Sequence, residues 1–254
     1  QFLAAMRKQS IPLALHTPVD IRVYAPLGHY PVSDAQFVTL PADAPRPACK
    51  EPIVDLSLCS NLSAQYRCYT QSAERYSIAT ARSYADFAFK FGDYASDGAR
   101  CIGVLDASGQ LAGYSVYFED ENALSGEECL AYTPTGYQRL FAALAQRAAG
   151  KALTLRLPPD VSLACAQAAS EQRPHCVLGV MDVSVLLAAT GLSGGAIEVS
   201  DPILPQNEGV FALDGTRTDK LPQLAISAGR LAQWAAGYRT MRDILASGDA
   251  VAHD

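Results

Sequence analysis

The stretch CIGVLDASGQLAGYSVYF, Cys101 to Phe118, decides the reading of the fold. Two apolar runs, Cys101–Asp106 and Leu111–Phe118, flank Ala-Ser-Gly-Gln, and Gly109 there can take the positive φ that a tight turn needs, so the stretch predicts a β-hairpin. Downstream, Glu128–Tyr132 predicts a third strand. Tyr137, Leu140, Phe141, Leu144 and Ala148 then recur at helical spacing up to Gly150, which suits a helix C-terminus. Ala152–Leu157 is a fourth strand, stopped by Pro158-Pro159, and Ser162–Ala169 reads as a short helix. Upstream, residues 61–95 hold two helices, and Tyr84, Phe87, Ala88 and Phe91 form a core-facing stripe on the second. Helix, helix, hairpin, strand, helix, strand describes an α+β module: a mixed sheet with helices on its faces.

Outside this module the pattern changes twice. Ile11–His16 (IPLALH) reads as a buried strand, Pro18–Tyr24 as a short helix closed by Pro26 and Gly28, and residues 30–41 as another strand. Pro41, Pro45, Pro47 and Pro52 then mark an irregular connection and a boundary. Beyond Cys176 come a helix over Asp182–Ala189, strands over Ala196–Val199 and Gly209–Leu213, and helices over Leu224–Ala235 and Thr240–Ala246, a second small α+β pattern. The division expected is 1–48, 49–178 and 179–254. Gln1 is not an initiator Met, and Phe2, Leu3 and Met6 fall as though the chain opens inside an amphipathic helix, so residues upstream and a truncated product are expected.

Composition narrows the function classes. Of 254 residues, 49% are hydrophobic and 18% charged, which is ordinary for a folded domain. The net charge of −6, with no basic run longer than Arg7-Lys8, supplies no phosphate-neutralising stripe and argues against nucleic acid as a partner. Seven cysteines without a CxxC pair fit reduced thiols in a cytoplasmic protein better than a disulfide frame or zinc site. The most apolar stretch, Cys176–Leu192, is interrupted by Asp182 and is too short for a membrane span.

Few side chains stand out for chemistry. His16 and His29 bracket Tyr24, and an imidazole titrates near neutrality, so either histidine reads as a base or as a turn residue. Asp182 precedes an apolar helical run and reads as an N-cap or as a carboxylate facing a cationic ligand. Thr133-Pro-Thr-Gly136 leads from a strand into a helix, the place for an anion cradle, yet it has one glycine and Pro134 removes a donor, which favours an ordinary capped start. The runs Glu119-Asp120-Glu121 and Glu127-Glu128 read as solvated acidic faces.

Taken together, three blocks resemble the Eis-like (enhanced intracellular survival) branch of the GNAT N-acetyltransferases. AAMRKQSIPLALHTPVDIRVYAPLGHY is similar to the second half of that branch's catalytic domain. Residues 60–178, with Gly113-Tyr114 and Glu128-Cys129-Leu130-Ala131, resemble its second, degenerate GNAT repeat. VMDVSVLLA, IEVSDPILPQNEGVFAL and LAISAGRLAQWAAGYRTMRDIL resemble its sterol-carrier-protein-like domain.

The resemblance implies acetyl-CoA as co-substrate, a primary amine on a small cationic molecule (aminoglycoside, polyamine or lysine-like) as acceptor, and a homo-oligomer. It implies Tyr24, in Tyr24-Ala-Pro-Leu-Gly28, as general acid, since a phenol keeps its proton at neutral pH and can hand it to a thiolate. Asp182 is the candidate substrate-facing residue. The branch's Arg/Gln-x-x-Gly-x-Gly loop for the coenzyme A pyrophosphate is expected before Gln1, so these residues alone are expected to be inactive. Two positions depart from the pattern: His29 stands where an aromatic residue is usual, and Gly179 where an arginine is usual. A carrier of an apolar ligand and a pure assembly role are the competing readings; Leu231, Trp234 and Tyr238 are spaced as a helix would use them for its own core.

Overall fold

The computed structural model describes residues 6, 9, 11–49, 52–76 and 79–253. Met6 is helical, and the rest of the opening amphipathic reading, Phe2 and Leu3, lies outside the described residues. Packing divides the chain into two compact units, one of residues 1–34 with 174–254 and one of residues 35–173.

In the unit 35–173 the predicted hairpin is present. Strands β4 (Arg100–Leu105) and β5 (Leu111–Glu119) pair antiparallel, and Gly109 takes φ 80° in the turn between them. Strand β5 pairs β6 (Ala123–Ala131), β6 runs parallel to β7 (Ala152–Leu157), and β7 pairs residues Gln36–Leu40 of β2 (Tyr30–Leu40). Strand β3 (Ile53–Leu56) closes the other edge on β4.

Side chains alternate across this sheet, as strand geometry requires. Ile102, Val104 and Ala112 pack with Leu140, Phe141 and Leu144 of the helix over Pro134–Arg147 that joins β6 to β7. Cys101, Tyr114 and Val116 face the helices Ser63–Ala73 and Tyr84–Ser96, where Phe87 and Phe91 are fully buried and stack at 4.2 Å. Ser83 and Asp86 cap the second of these helices reciprocally. Glu128 is buried on β6 and engaged on two sides: Arg82 Nη1 donates to it at 2.9 Å and Tyr114 Oη at 2.7 Å.

In the unit 1–34 with 174–254, β1 (Leu13–His16) pairs antiparallel with the end of β8 (Ala169–Val180), Ala14 opposite Gly179 and His16 opposite Val177. A four-stranded sheet follows in the order β10 (Gly209–Ala212), β9 (Ala196–Ser200), β11 (Leu224–Ser227), β12 (Ala250–Ala252). Helices over Val183–Thr190, Ala228–Ala235 and Met241–Ala246 share its core, with Phe211, Leu187, Leu231 and Ile244 buried. No helix among the described residues is long and apolar enough to cross a membrane.

Two expectations need correction. Ser162–Ala169 is not a helix: Gln138 exchanges hydrogen bonds with Ala164 through Nε2 and Oε1, and Leu163, Cys165 and Ala168 pack on the core as an irregular strap. Leu224–Ser227 is a strand, because β9 and β12 pair it on both sides, and the helix starts only after Ser227, whose side chain accepts from Arg230 N.

Truncating Phe91 to Ala removes a ring at the centre of one core and should lower stability by about 3–5 kcal/mol. Urea unfolding checks this; a loss under about 1 kcal/mol would mean the site collapses around the gap.

Candidate functional site

The site begins with a short helix and its stop. Asp20 accepts from Arg22 N at 2.9 Å and caps the helix over Ile21–Tyr24, while Arg22 folds back on the same carboxylate at 2.6 Å. A single 3-10 turn, Ala25–Leu27, ends at Gly28, which adopts φ 74°, a conformation that a side chain disfavours. His29 N then donates to Tyr24 O at 3.2 Å, and the chain turns His29 inward.

Three rings meet there. His16, at the end of β1, lies 4.5 Å from Tyr24 and 5.2 Å from His29, centroid to centroid, and Tyr24 and His29 are 6.4 Å apart. They share a cavity of about 640 Å³, otherwise walled by Met6, Leu13, Ala14, Leu15, Thr17 and Leu27. His29, only 6% exposed, also lines a second, smaller cavity of about 170 Å³ beside Met181, Asp201 and Gly229. The ring can lie so deep because residue 179 has no side chain: a Cβ on Gly179 would stand 2.2 Å from His29 Nε2. The two departures from the family pattern, His29 and Gly179, are thus one packing arrangement.

Burial biases both imidazoles toward the neutral form. Burial holds His16 below its ordinary value of 6.5. Burial does the same to His29, reinforced by the neighbouring His16 and opposed by Asp201. His16 Nε2 and His29 Nδ1 are buried and without a hydrogen-bond partner. Asp201 itself is engaged, accepting from Ile203 N, Leu204 N and Asn207 Nδ2 at 2.9–3.0 Å. Asn207 Nδ2 also donates to Val180 O at 2.9 Å.

The other candidates lie elsewhere. Asp182 accepts from Val185 N at 3.3 Å and caps the helix over Val183–Thr190; it stands next to Met181 but is not in the walls around Tyr24. Thr133 Oγ1 accepts from Gly136 N at 3.0 Å, and a Cβ on Gly136 would stand 2.9 Å from Ala131 Cβ, so this turn is a capped helix start whose glycine serves packing. Leu231 is fully buried, Trp234 packs on the same core, and Tyr238 Oη donates to Asp34 at 2.7 Å. The joint seat of His16 and His29 beside Tyr24 was missed, although the spacing of the three residues around one short helix is visible.

A Gly179→Ala variant should lose about 1–3 kcal/mol through overpacking, and His29→Ala in the same molecule should recover most of it. Equal losses in the presence and absence of His29 would show that the two do not touch. The neutral histidines also set a pH dependence. Their lowered folded-state pKa values give stability that is fully present above 6.5 and lost as pH falls through those values. Between pH 7.5 and pH 5 the melting temperature of a His29→Phe variant should therefore fall less than that of the native protein; parallel curves would contradict this.

Comparisons with known proteins bear on the fold. Residues 185–253 match the sterol carrier protein domain. A conserved protein from Enterococcus faecalis described as a probable N-acyltransferase superposes with a TM-score of 0.76 at 17% identity, covering 99% of this chain and 69% of that one. A GCN5-related N-acetyltransferase from Anabaena variabilis gives 0.73 at 18% identity, with 99% and 70% covered. Eis1 from Mycobacterium abscessus gives 0.65 at 19%, again with 99% and 70% covered. A search of curated protein sequences finds no match. At these identities the likeness establishes the fold: an α+β, GNAT-like architecture ending in a sterol-carrier-like domain.

Proposed function

We propose that this chain works as part of an acetyl-CoA-dependent N-acetyltransferase acting on a primary amine of a small cationic molecule of the aminoglycoside, polyamine or lysine-like kind. The observation that carries the reading is Tyr24 in the wall of the 640 Å³ cavity, beside apolar residues and two imidazoles, on a fold shared with acetyltransferases. Residues 1–48 are read as the end of the catalytic module, 49–178 as its degenerate repeat and 179–254 as the sterol-carrier-like module.

Acetyl-CoA supplies the activated acetyl thioester when bound. The walls beside Tyr24 fit that end of the molecule: Leu13, Leu15 and Leu27 are apolar, and the phenol offers one donor. Tyr24 Oη is assigned to protonate the departing thiolate. Asp182 is assigned the attraction of the amine's positive charge, with its Oδ1 also serving the helix cap. Seven cysteines without a CxxC pair suit a cytoplasmic setting, and a homo-oligomer is part of the same proposal. Carriage of an apolar ligand is the weaker reading, because Leu231 and Trp234 turn their surface into the core of their own unit.

In the product of the whole gene, Tyr24→Phe should lower kcat for acetyl transfer by about 10²–10⁴ with little change in KM for the amine. A rate within twofold of native would remove Tyr24 from the reaction. Residues 1–254 by themselves are expected to bind acetyl-CoA weakly and not to turn it over, because the Thr133–Gly136 turn is engaged in its own cap. Calorimetry showing tight binding would contradict that.

A further inference from the structure

Tyr24 closes a helix of only four residues, too short to hold its own direction, so the phenol must be aimed by what the chain does next. The helix runs into the turn Ala25–Leu27 and the left-handed Gly28, and His29 N returns to Tyr24 O. Whatever fixes Gly28 to Asp34 therefore fixes Tyr24.

The helix over Ala228–Ala235 has two working faces. Ala228, Leu231, Ala232 and Ala235 recur at i, i+3, i+4 and i+7 and pack into the core of their own module. Gly229, Arg230 and Gln233 form the other face, and each meets the segment after Tyr24. A Cβ on Gly229 would overlap both Gly28 O and the Tyr30 ring, so only a bare Cα admits that carbonyl. The Arg230 guanidinium lies over the Tyr30 ring, 4.1 Å from its centroid, and is itself held by Asp249 at 2.9 Å and by Gln233 Oε1 at 2.7 Å. Gln233, only 2% exposed, donates from Nε2 to Pro31 O at 2.7 Å. Just past the helix, Tyr238 Oη donates to Asp34 at 2.7 Å.

An apolar side chain at 233 would fill the same space. A buried amide satisfied at both ends does more, because it specifies one register between the helix and the Pro31 carbonyl. Asp249 adds rigidity from behind: Arg239 Nη1 donates to its second oxygen at 2.6 Å, and Ser247 Oγ to the same oxygen at 2.7 Å.

Resting on the reading of Tyr24 as the acid, we propose that this helix of the sterol-carrier-like module is a clamp that aims Tyr24, with Gly229 and Gln233 as positioning residues acting through Gly28 and Pro31. The module serves the transfer by fixing the turn that carries the phenol.

The test follows Tyr24 itself, in the 254-residue protein labelled with fluorotyrosine, its ¹⁹F signal identified among the twelve tyrosines by Tyr24→Phe. Gly229→Ala should move or split that signal well below the melting temperature. Gln233→Met, which keeps the side-chain length and drops the donor, should do the same and carries the test if Gly229→Ala fails to fold. Ile244→Val, a loss in the core of the same module, should leave the signal in place. In the whole gene product Gln233→Met should lower kcat for acetyl transfer about tenfold, with KM for the amine within about twofold of native. A Tyr24 signal that stays put in the folded clamp variants, or moves as far in Ile244→Val, overturns the clamp whatever Tyr24 does. So does a native kcat in Gln233→Met when Tyr24→Phe is impaired. A displaced signal beside a Tyr24→Phe variant that transfers acetyl at the native rate overturns the acid reading instead.

Discussion

The pairing of β1 with β8 is the constraint on which the candidate site depends. Residues more than 160 positions apart are held in one register: Ala14 opposite Gly179, Leu15 opposite Leu178, His16 opposite Val177. Pro12 O accepts from both Met181 N and Asp182 N, so the register also anchors the start of the next helix. That alignment sets a residue without a side chain behind the position that His29 must occupy. Slipping β1 by one residue would turn its side chains to the other face and move His16 away from Tyr24.

A second principle is the division of labour between buried polar groups. Asp201 and Asn207 are satisfied inside the protein and act as scaffolding that ties a loop to the end of β8. Glu128, Arg82 and Tyr114 do the same in the other unit. His16 Nε2 and His29 Nδ1 break this pattern, as Arg46 Nη1 and Tyr137 Oη do in the other unit. Buried polar atoms are nearly always paired in folded proteins, so an orphaned nitrogen beside a cavity is where a functional reading has physical support.

Much of the architecture was legible from residue spacing. The β4–β5 hairpin, the Phe87/Phe91 helix stripe and the Thr133 and Asp182 caps depend on local signals, and local signals are readable along the chain. What escaped was non-local. Strands β3, β8 and β12 are short or carry exposed polar residues, and only their partners make them strands; the first six residues of β8 are all exposed. The Ser227 boundary depends on two strands flanking Leu224–Ile226. The meaning of Gly179 could not be read at all without knowing that His29 lies on top of it.

The central claim is that a phenol at position 24 protonates a leaving thiolate, and the leaving group itself can test it. Transfer rates of the whole gene product and its Tyr24→Phe variant would be compared for an alkyl acetyl thioester and for an aryl one, whose thiol is acidic enough to depart without help. The account predicts that the defect of the variant is large with the alkyl donor and nearly vanishes with the aryl donor. An equal defect with both would show that Tyr24 shapes the site without donating the proton.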